Sequence, residues 1–239
     1  MAGNNNVHEQ SNMSSPIRLA VFDLDGTLVD SLGHIARAVQ ETAKTLRIPA
    51  PPASAVPRVI GLSLDAAIAK LFPDHDADVQ REIDRVYRKI FAEWRAQPGH
   101  VEPLFDGSHD AIAALEAAGY TLGIATGKAR RGVDFLLAHH GLGGRFVTIQ
   151  TPDTAPGKPD PGMLLAAMSE TGAEPDSTVM IGDTTFDIAM ARAAGTKALG
   201  VAWGNHHADE LRQTGAHKVI DRMDQVLQAV QDLTAVRSI

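Results

Sequence analysis

The chain predicts an α/β protein: a parallel sheet covered by helices on both faces, interrupted once by an all-helical insert. Three observations carry that expectation. Leu19-Ala20-Val21-Phe22 is an apolar run with no polar interruption, the pattern of a strand buried on both faces. From Asp106-Gly107 onward, short strand-like runs alternate with segments of helical period, as in a Rossmann-like sheet. Between Ser31 and about Gly99 no segment reads as a strand. The expected organisation is a disordered tail over 1–15, an α/β core from 16–30 and 100–239, and a helical cap domain over 31–99.

After the first strand, Ile35, Ala38, Val39, Thr42 and Leu46 recur at helical spacing, with Asp30 or Ser31 as the helix cap. Ile48-Pro49-Ala50-Pro51-Pro52 breaks that helix, and a short element starts at Ser54 or Pro57. Residues 63–72 and 78–96 read as further helices, the second heavily charged. In the core, helices are expected over 107–118, 131–140, 161–171, 186–194, 207–214 and 224–234. Strands are expected over 120–125, 146–150, 178–181, 197–201 and 218–220, the last at an edge.

Composition narrows the function classes. The chain has 239 residues, 44% hydrophobic and 21% charged, an ordinary globular balance. No run of 18 apolar residues suggests a membrane span. The net charge of -7 argues against bulk attraction to nucleic acid. With Cys at 0 there is neither a disulfide framework nor a thiol nucleophile, and the cytoplasm is the expected location.

The chemistry is expected at the strand ends, because ligands of open α/β sheets bind in the crevice beyond them. Asp23 ends the first strand, and Asp25 follows before Gly26. If the chain stays extended, period-2 geometry sends both carboxylates the same way. Two acids so close repel, and a divalent cation would hold them ionised. Hard oxygen ligands without any Cys favour Mg²⁺ over zinc or copper. Asp-x-Asp-Gly also opens turns and calcium loops, but a calcium loop normally follows a helix and not a buried strand. Thr126 and Asp183 end two further strands, and Lys158 lies in a Gly-Lys-Pro turn before a helix. Taken singly, Thr126 is equally a helix cap, Lys158 a solvated loop lysine, and Asp183 with Asp187 a cap and a surface acid. Their placement on one line of strand ends is what those readings fail to predict.

The ordered set Asp-x-Asp-Gly-Thr (23–27), Ala-Thr-Gly-Lys (125–128), Gly-Lys-Pro (157–159) and Gly-Asp-Thr-x-x-Asp (182–187) resembles the haloacid-dehalogenase superfamily. The Asp25-Gly26-Thr27 form resembles its phosphatase branch, since dehalogenases lack the second Asp. The helical insert is similar to the cap of the phosphoglycolate phosphatase-like group, and the likeness spans residues 17 to about 225. The resemblance implies an aspartyl-phosphate mechanism with Asp23 as nucleophile and Asp25 as general acid, then base. It implies Mg²⁺ held by Asp23, the backbone carbonyl of Asp25 and Asp183, with Asp187 behind them or acting through a water. Thr126 and the Gly127 amide would bind the phosphoryl oxygens, and Lys158 would neutralise charge on the phosphate and Asp23.

Substrate choice is expected from the insert, chiefly the turn bearing Arg58, Gly61 and Ser63, with Arg130 or Arg131 near the second motif. The implied partner is a small-molecule phosphate ester, acted on by a monomer or homodimer. Two other readings of the same site remain: a phosphomutase that returns the phosphoryl group to its substrate, and a catalytically silent phosphate-binding module.

Overall fold

A computed structural model of the chain describes residues 16–235; the tail expected over 1–15 lies outside the described residues. Six strands form one parallel sheet in the order β3-β2-β1-β4-β5-β6. They are β1 (Leu19–Phe22), β2 (Thr121–Ala125), β3 (Thr148–Gln150), β4 (Thr178–Gly182), β5 (Lys197–Val201) and β6 (Lys218–Ile220). β3 is two residues shorter than the expected 146–150; Val147 just before it is 68% exposed, with its amide donating to Leu122 O at 2.9 Å.

Alternation along β1 builds a core on each face. Ala20 and Phe22 pack with Leu122, Ile124, Val179 and Ile181, whereas Leu19 and Val21 pack with Met180 and Ala198 on the other side. Helices α4 (Ser108–Ala117), α5 (Arg130–His139), α6 (Gly162–Thr171), α7 (Thr185–Ala193), α8 (Ala208–Thr214) and α9 (Val226–Thr234) cover the two faces. Burying both faces is what permits strands with no polar alternation.

The register aligns the strand ends. Phe22 lies between Ile124 of β2 and Ile181 of β4, so Asp23, Thr126 and Asp183 all follow at one rim of the sheet. The chain visits β2 and β3 on one side of β1, then β4 to β6 on the other. The resulting switch point opens a crevice beside β1.

Residues 32–95 contain α1 (Leu32–Leu46), α2 (Leu64–Leu71) and α3 (Ala77–Arg95), with a short 3₁₀ turn at Ala53–Ala55 and no strand. They bury their own apolar clusters, one around Val39, Ile68 and Ile83, another around Ala38, Ile90 and Trp94. Asp76 caps α3 by accepting from the amides of Asp78 and Val79, each at 3.0 Å. Ser31 occupies the corresponding place before α1 but makes no side-chain cap bond. Its backbone is already helical (φ -102°, ψ -7°) where a capping hydroxyl needs extended backbone.

The two connections to this insert run side by side. Val29 and Leu104 form an antiparallel bridge, the Asp30 amide donates to Pro103 O at 2.8 Å, and the Phe105 amide donates to Leu28 O at 2.9 Å. Among the described residues, no helix is long and apolar enough to cross a membrane.

Candidate active site

Asp23 extends β1 by one rung, its amide donating to Ile181 O at 2.9 Å. Its side chain is wholly buried, with Oδ1 at 2.8 Å from Lys158 Nζ. The same ammonium lies 2.6 Å from Asp187 Oδ1, so Lys158 bridges two carboxylates. Asp187 Oδ2 accepts from the Thr184 amide at 3.0 Å and the Thr184 hydroxyl at 2.7 Å, closing a capping box at the start of α7. Asp183 Oδ1 accepts from Thr27 Oγ1 at 2.9 Å, and its Oδ2 from Asn205 N at 2.7 Å and Nδ2 at 2.8 Å.

Two glycines make room for this packing. A Cβ on Gly26 would fall 2.3 Å from Asp183 Oδ2, and one on Gly204 would fall 2.3 Å from Asp183 Cβ.

Asp23, Asp183 and Asp187 each offer a carboxylate oxygen, and these oxygens lie within 4.8 Å of one another. Three carboxylates against one ammonium leave two negative charges in a dry site. Burial raises the Asp23 carboxyl well above its usual range; the Lys158 charge opposes that rise, while Asp187 and Asp183 add to it. Burial, aided by Asp187, pushes Asp183 up to about 6 against the hydrogen bonds from Asn205 and Thr27. Lys158 is pulled down by burial, but Asp187 and Asp23 more than offset this and raise it. Asp23 Oδ2 is buried without a hydrogen bond. A divalent cation fits these donors: the ligands are hard oxygens, they converge within 4.8 Å, and the excess charge equals what such an ion brings.

Asp25 departs from the expected geometry. The strand ends at Phe22 and the chain turns at Gly26, with φ +89°, so the Asp25 carboxylate does not join the acid cluster by period-2 alternation. Its Oδ1 instead lies 3.2 Å from Lys128 Nζ, which also bonds Glu102 Oε2 at 2.8 Å. Burial lowers the Lys128 ammonium, yet Asp25 and Glu102 outweigh it and the net shift is upward. Thr126 is buried; its amide donates to Gln150 O and its hydroxyl accepts from the Lys128 amide. Gly127 meets the insert directly, since a Cβ there would sit 2.2 Å from Leu62 O.

Above these groups lies a cavity of about 370 Å³ between insert and core. Asp25, Gly61, Ser63, Gly127, Lys128 and Arg131 line it, as do Tyr87, Arg88 and Arg95 of α3. Arg58 does not line it, which corrects the expectation that it contacts substrate. Its guanidinium reaches outward to Glu210 of α8, 2.8 Å away, because that carboxylate is the acid that faces it across the boundary. Arg130 likewise turns away, pairing with Asp134 one helical turn on.

Sequence reasoning missed Lys128 as a partner of Asp25, and Glu102, Asn205 and Arg95 altogether. Glu102 is a single acid in a connection, and Arg95 is one charge among many on α3. For Asn205 a faint signal exists, since Trp203-Gly204 directly follows the end of β5.

At the switch point a buried acid cluster, bridged by one lysine and covered by a helical insert, forms a crevice whose polar groups are mainly aspartates. The chain belongs to the haloacid dehalogenase-like hydrolase family, whose model matches residues 20–201. It is 36% identical to "Probable phosphatase IndB" of Dickeya dadantii over 92% of this chain and 96% of that protein. It is 30% identical to a protein named phosphoglycolate phosphatase of Pseudomonas putida, over 90% of this chain and 80% of that one. Its structure is similar to that of a haloacid dehalogenase-like family hydrolase from Streptococcus pneumoniae, with TM-score 0.78 and 26% identity. That match covers 90% of this chain and 99% of the other.

Proposed function

We propose that the chain is a Mg²⁺-dependent phosphatase that hydrolyses a small-molecule phosphate monoester through an aspartyl-phosphate. The observation that carries this reading is Asp23 itself: a buried carboxylate at a strand end, one oxygen pinned by Lys158 and the other without a hydrogen bond. A nucleophile needs that asymmetry, with one atom oriented and one free to attack. Relatives named as phosphatases at 36% and 30% identity support it.

In this reading Asp23 forms an O–P bond as the ester P–O bond breaks, and Asp25 gives its proton to the departing alkoxide. Asp25, now ionised, then takes a proton from water as that water attacks phosphorus and the bond to Asp23 breaks. Inorganic phosphate leaves, and both aspartates return to their starting states. Lys128 and Glu102 hold the Asp25 carboxylate in place. Thr126 and the Gly127 amide bind phosphoryl oxygens, while Lys158 offsets charge on Asp23 and the phosphate. Asp23, Asp183 and the Asp25 backbone carbonyl would hold Mg²⁺, with Asp187 acting behind them or through a water. Bound there, the ion supplies electrostatic stabilisation of the phosphoryl group.

The test is a panel of phosphate metabolites incubated with the purified protein, with and without Mg²⁺. Phosphate release that requires Mg²⁺ is expected. An isomerised product without release would make it a mutase, and neither outcome would make it a binding module.

A further inference from the structure

The cavity is larger and more apolar than a two-carbon leaving group needs. Its wall in the insert includes Val39, Ile68, Leu71, Phe72, Ile83 and Phe91, while Asp25 and Gly127 stand at the core end. A volume of about 370 Å³ falls within the usual span of sites for metabolite-sized ligands. Glycolate would leave most of that wall against water.

Charged groups of both signs line the cavity, among them Arg88, Lys128, Asp25, Asp65 and Asp153. Arg95 of α3 and Arg131 of α5 both line it. Several acids around them are already engaged: Glu102 and Asp25 by Lys128 at 2.8 and 3.2 Å, and Asp153 by the Arg130 amide at 2.7 Å. Neither Arg95 nor Arg131 forms an ion pair among the described residues. A Cβ on Gly132 would lie 3.9 Å from Arg95 Nη1, so the Arg95 tip sits beside the residue that follows Arg131. Phe91 and Phe135 face its guanidinium at 5.9 Å each and hold it in place. Burial lowers the Arg95 guanidinium, Glu102 opposes that, and the Arg131 charge adds to the lowering. Arg95 is half-buried and Arg131 exposed, so both guanidinium groups are open to an incoming anion.

We propose that this cavity takes the leaving group of the substrate, and that the group is an apolar body, ring-sized or larger, ending in an oxyanion gripped by Arg95 and Arg131. The proposal rests on the phosphatase reading and names its substrate class. A planar oxyanion matches the fork geometry of guanidinium, whether carboxylate or phosphorus-based. The same apolar walls that accept the body would exclude water from the phosphoryl group.

The test compares benzyl phosphates bearing a para carboxylate, a para phosphonate or a neutral para carboxamide, with phosphoglycolate as the small reference. At least one anionic ester should exceed the carboxamide in kcat/KM by about tenfold to a hundredfold, and should also exceed phosphoglycolate. That ratio should fall toward unity in the double variant Arg95→Met/Arg131→Met, and recover in part with Lys at both positions. A ratio taken within one variant does not depend on the fraction folded.

Calorimetric titration with 4-(hydroxymethyl)benzoate and its amide reads the cavity without turnover, and the acid should bind more tightly to the parent alone. Equal rates for anionic and neutral esters, a preference that survives in the double variant, or phosphoglycolate ahead of every benzyl ester would overturn the proposal. Phosphate release from none of the esters would instead overturn the phosphatase reading, and the titration then decides the cavity by itself.

Discussion

A carboxylate removed from water is costly unless something charged stands beside it, and Asp23 has one ammonium shared with Asp187. Asp23→Asn is nearly isosteric but a poor nucleophile. It should lower kcat on the order of 10⁴-fold while the far-UV circular dichroism stays that of the parent. Its melting temperature should not drop, because burial is the largest influence on Asp23 and opposes its charge.

Asp183 gives a pH test. Its carboxyl is raised, so the folded protein holds that proton more tightly than the unfolded chain does. This contribution to stability is complete below the unfolded value of 3.8 and is lost as pH rises through about 6. A cation that neutralises the cluster should therefore raise the melting temperature more at pH 7.5 than at pH 5, relative to chelator at the same pH. Equal increments at both pH values would show that the ion does not engage this carboxylate.

The residues readable from sequence were those that end a strand or punctuate a turn: Asp23, Thr126, Lys158 and Asp183. Burial and period mark a strand end directly, so position along the chain predicts position in space. Glu102 and Arg95 carry no such mark. Their placement depends on how the insert sits on the core, which is a property of packing between elements distant in sequence. For Asp25 the condition for period-2 alternation, a chain extended that far, is not met, because the backbone turns at Gly26 with φ +89°.

At the scale of elements, the second motif and the turn before α2 meet backbone to backbone. Gly127 packs on the carbonyls of Leu62 and Gly61. Gly61 itself has φ +95°, and a Cβ there would be 3.0 Å from Thr184 Oγ1. Gly127→Ala would force the 61–62 turn away from the rim of the sheet. A fall in kcat/KM of about tenfold or more is expected, with native circular dichroism, because the displaced backbone covers the phosphoryl site. Parent-like rates would show that this contact is slack.

Arg58 makes the contrasting case at the same boundary. Its pair with Glu210 is solvent-exposed on both sides, and salt screens such pairs. Arg58→Ala should leave the ratio of kcat/KM between a bulky ester and phenyl phosphate unchanged, whereas a shifted ratio would return this arginine to the substrate. The helices themselves were legible in sequence to within a residue or two, because each carries its apolar stripe and a stop such as Gly119, Gly141 or Gly172. The partners of each exposed charge were not.

Across the whole molecule, residues 32–95 bury clusters of their own, and Phe186 of α7 is a core side chain that packs against the larger one. Replacing 31–99 by a short turn should therefore leave a soluble α/β core with cooperative unfolding. That core should still release phosphate from phenyl phosphate, more slowly for want of shielding from water, and should lose discrimination by leaving group. An aggregated or non-cooperative product would show that the insert and sheet fold as one unit.

The Val29–Leu104 bridge makes the deletion geometrically simple. The chain leaves the sheet and re-enters it across one hydrogen-bonded pair, so the two ends of the excursion are already as close as neighbouring strands. Lengthening, shortening or exchanging the segment between them changes no strand order, no register and little of the entropy of closure, which grows only slowly with loop length. The rim of the sheet is in that sense a socket, and the helices above it a cartridge that can be exchanged without altering the strand order beneath it.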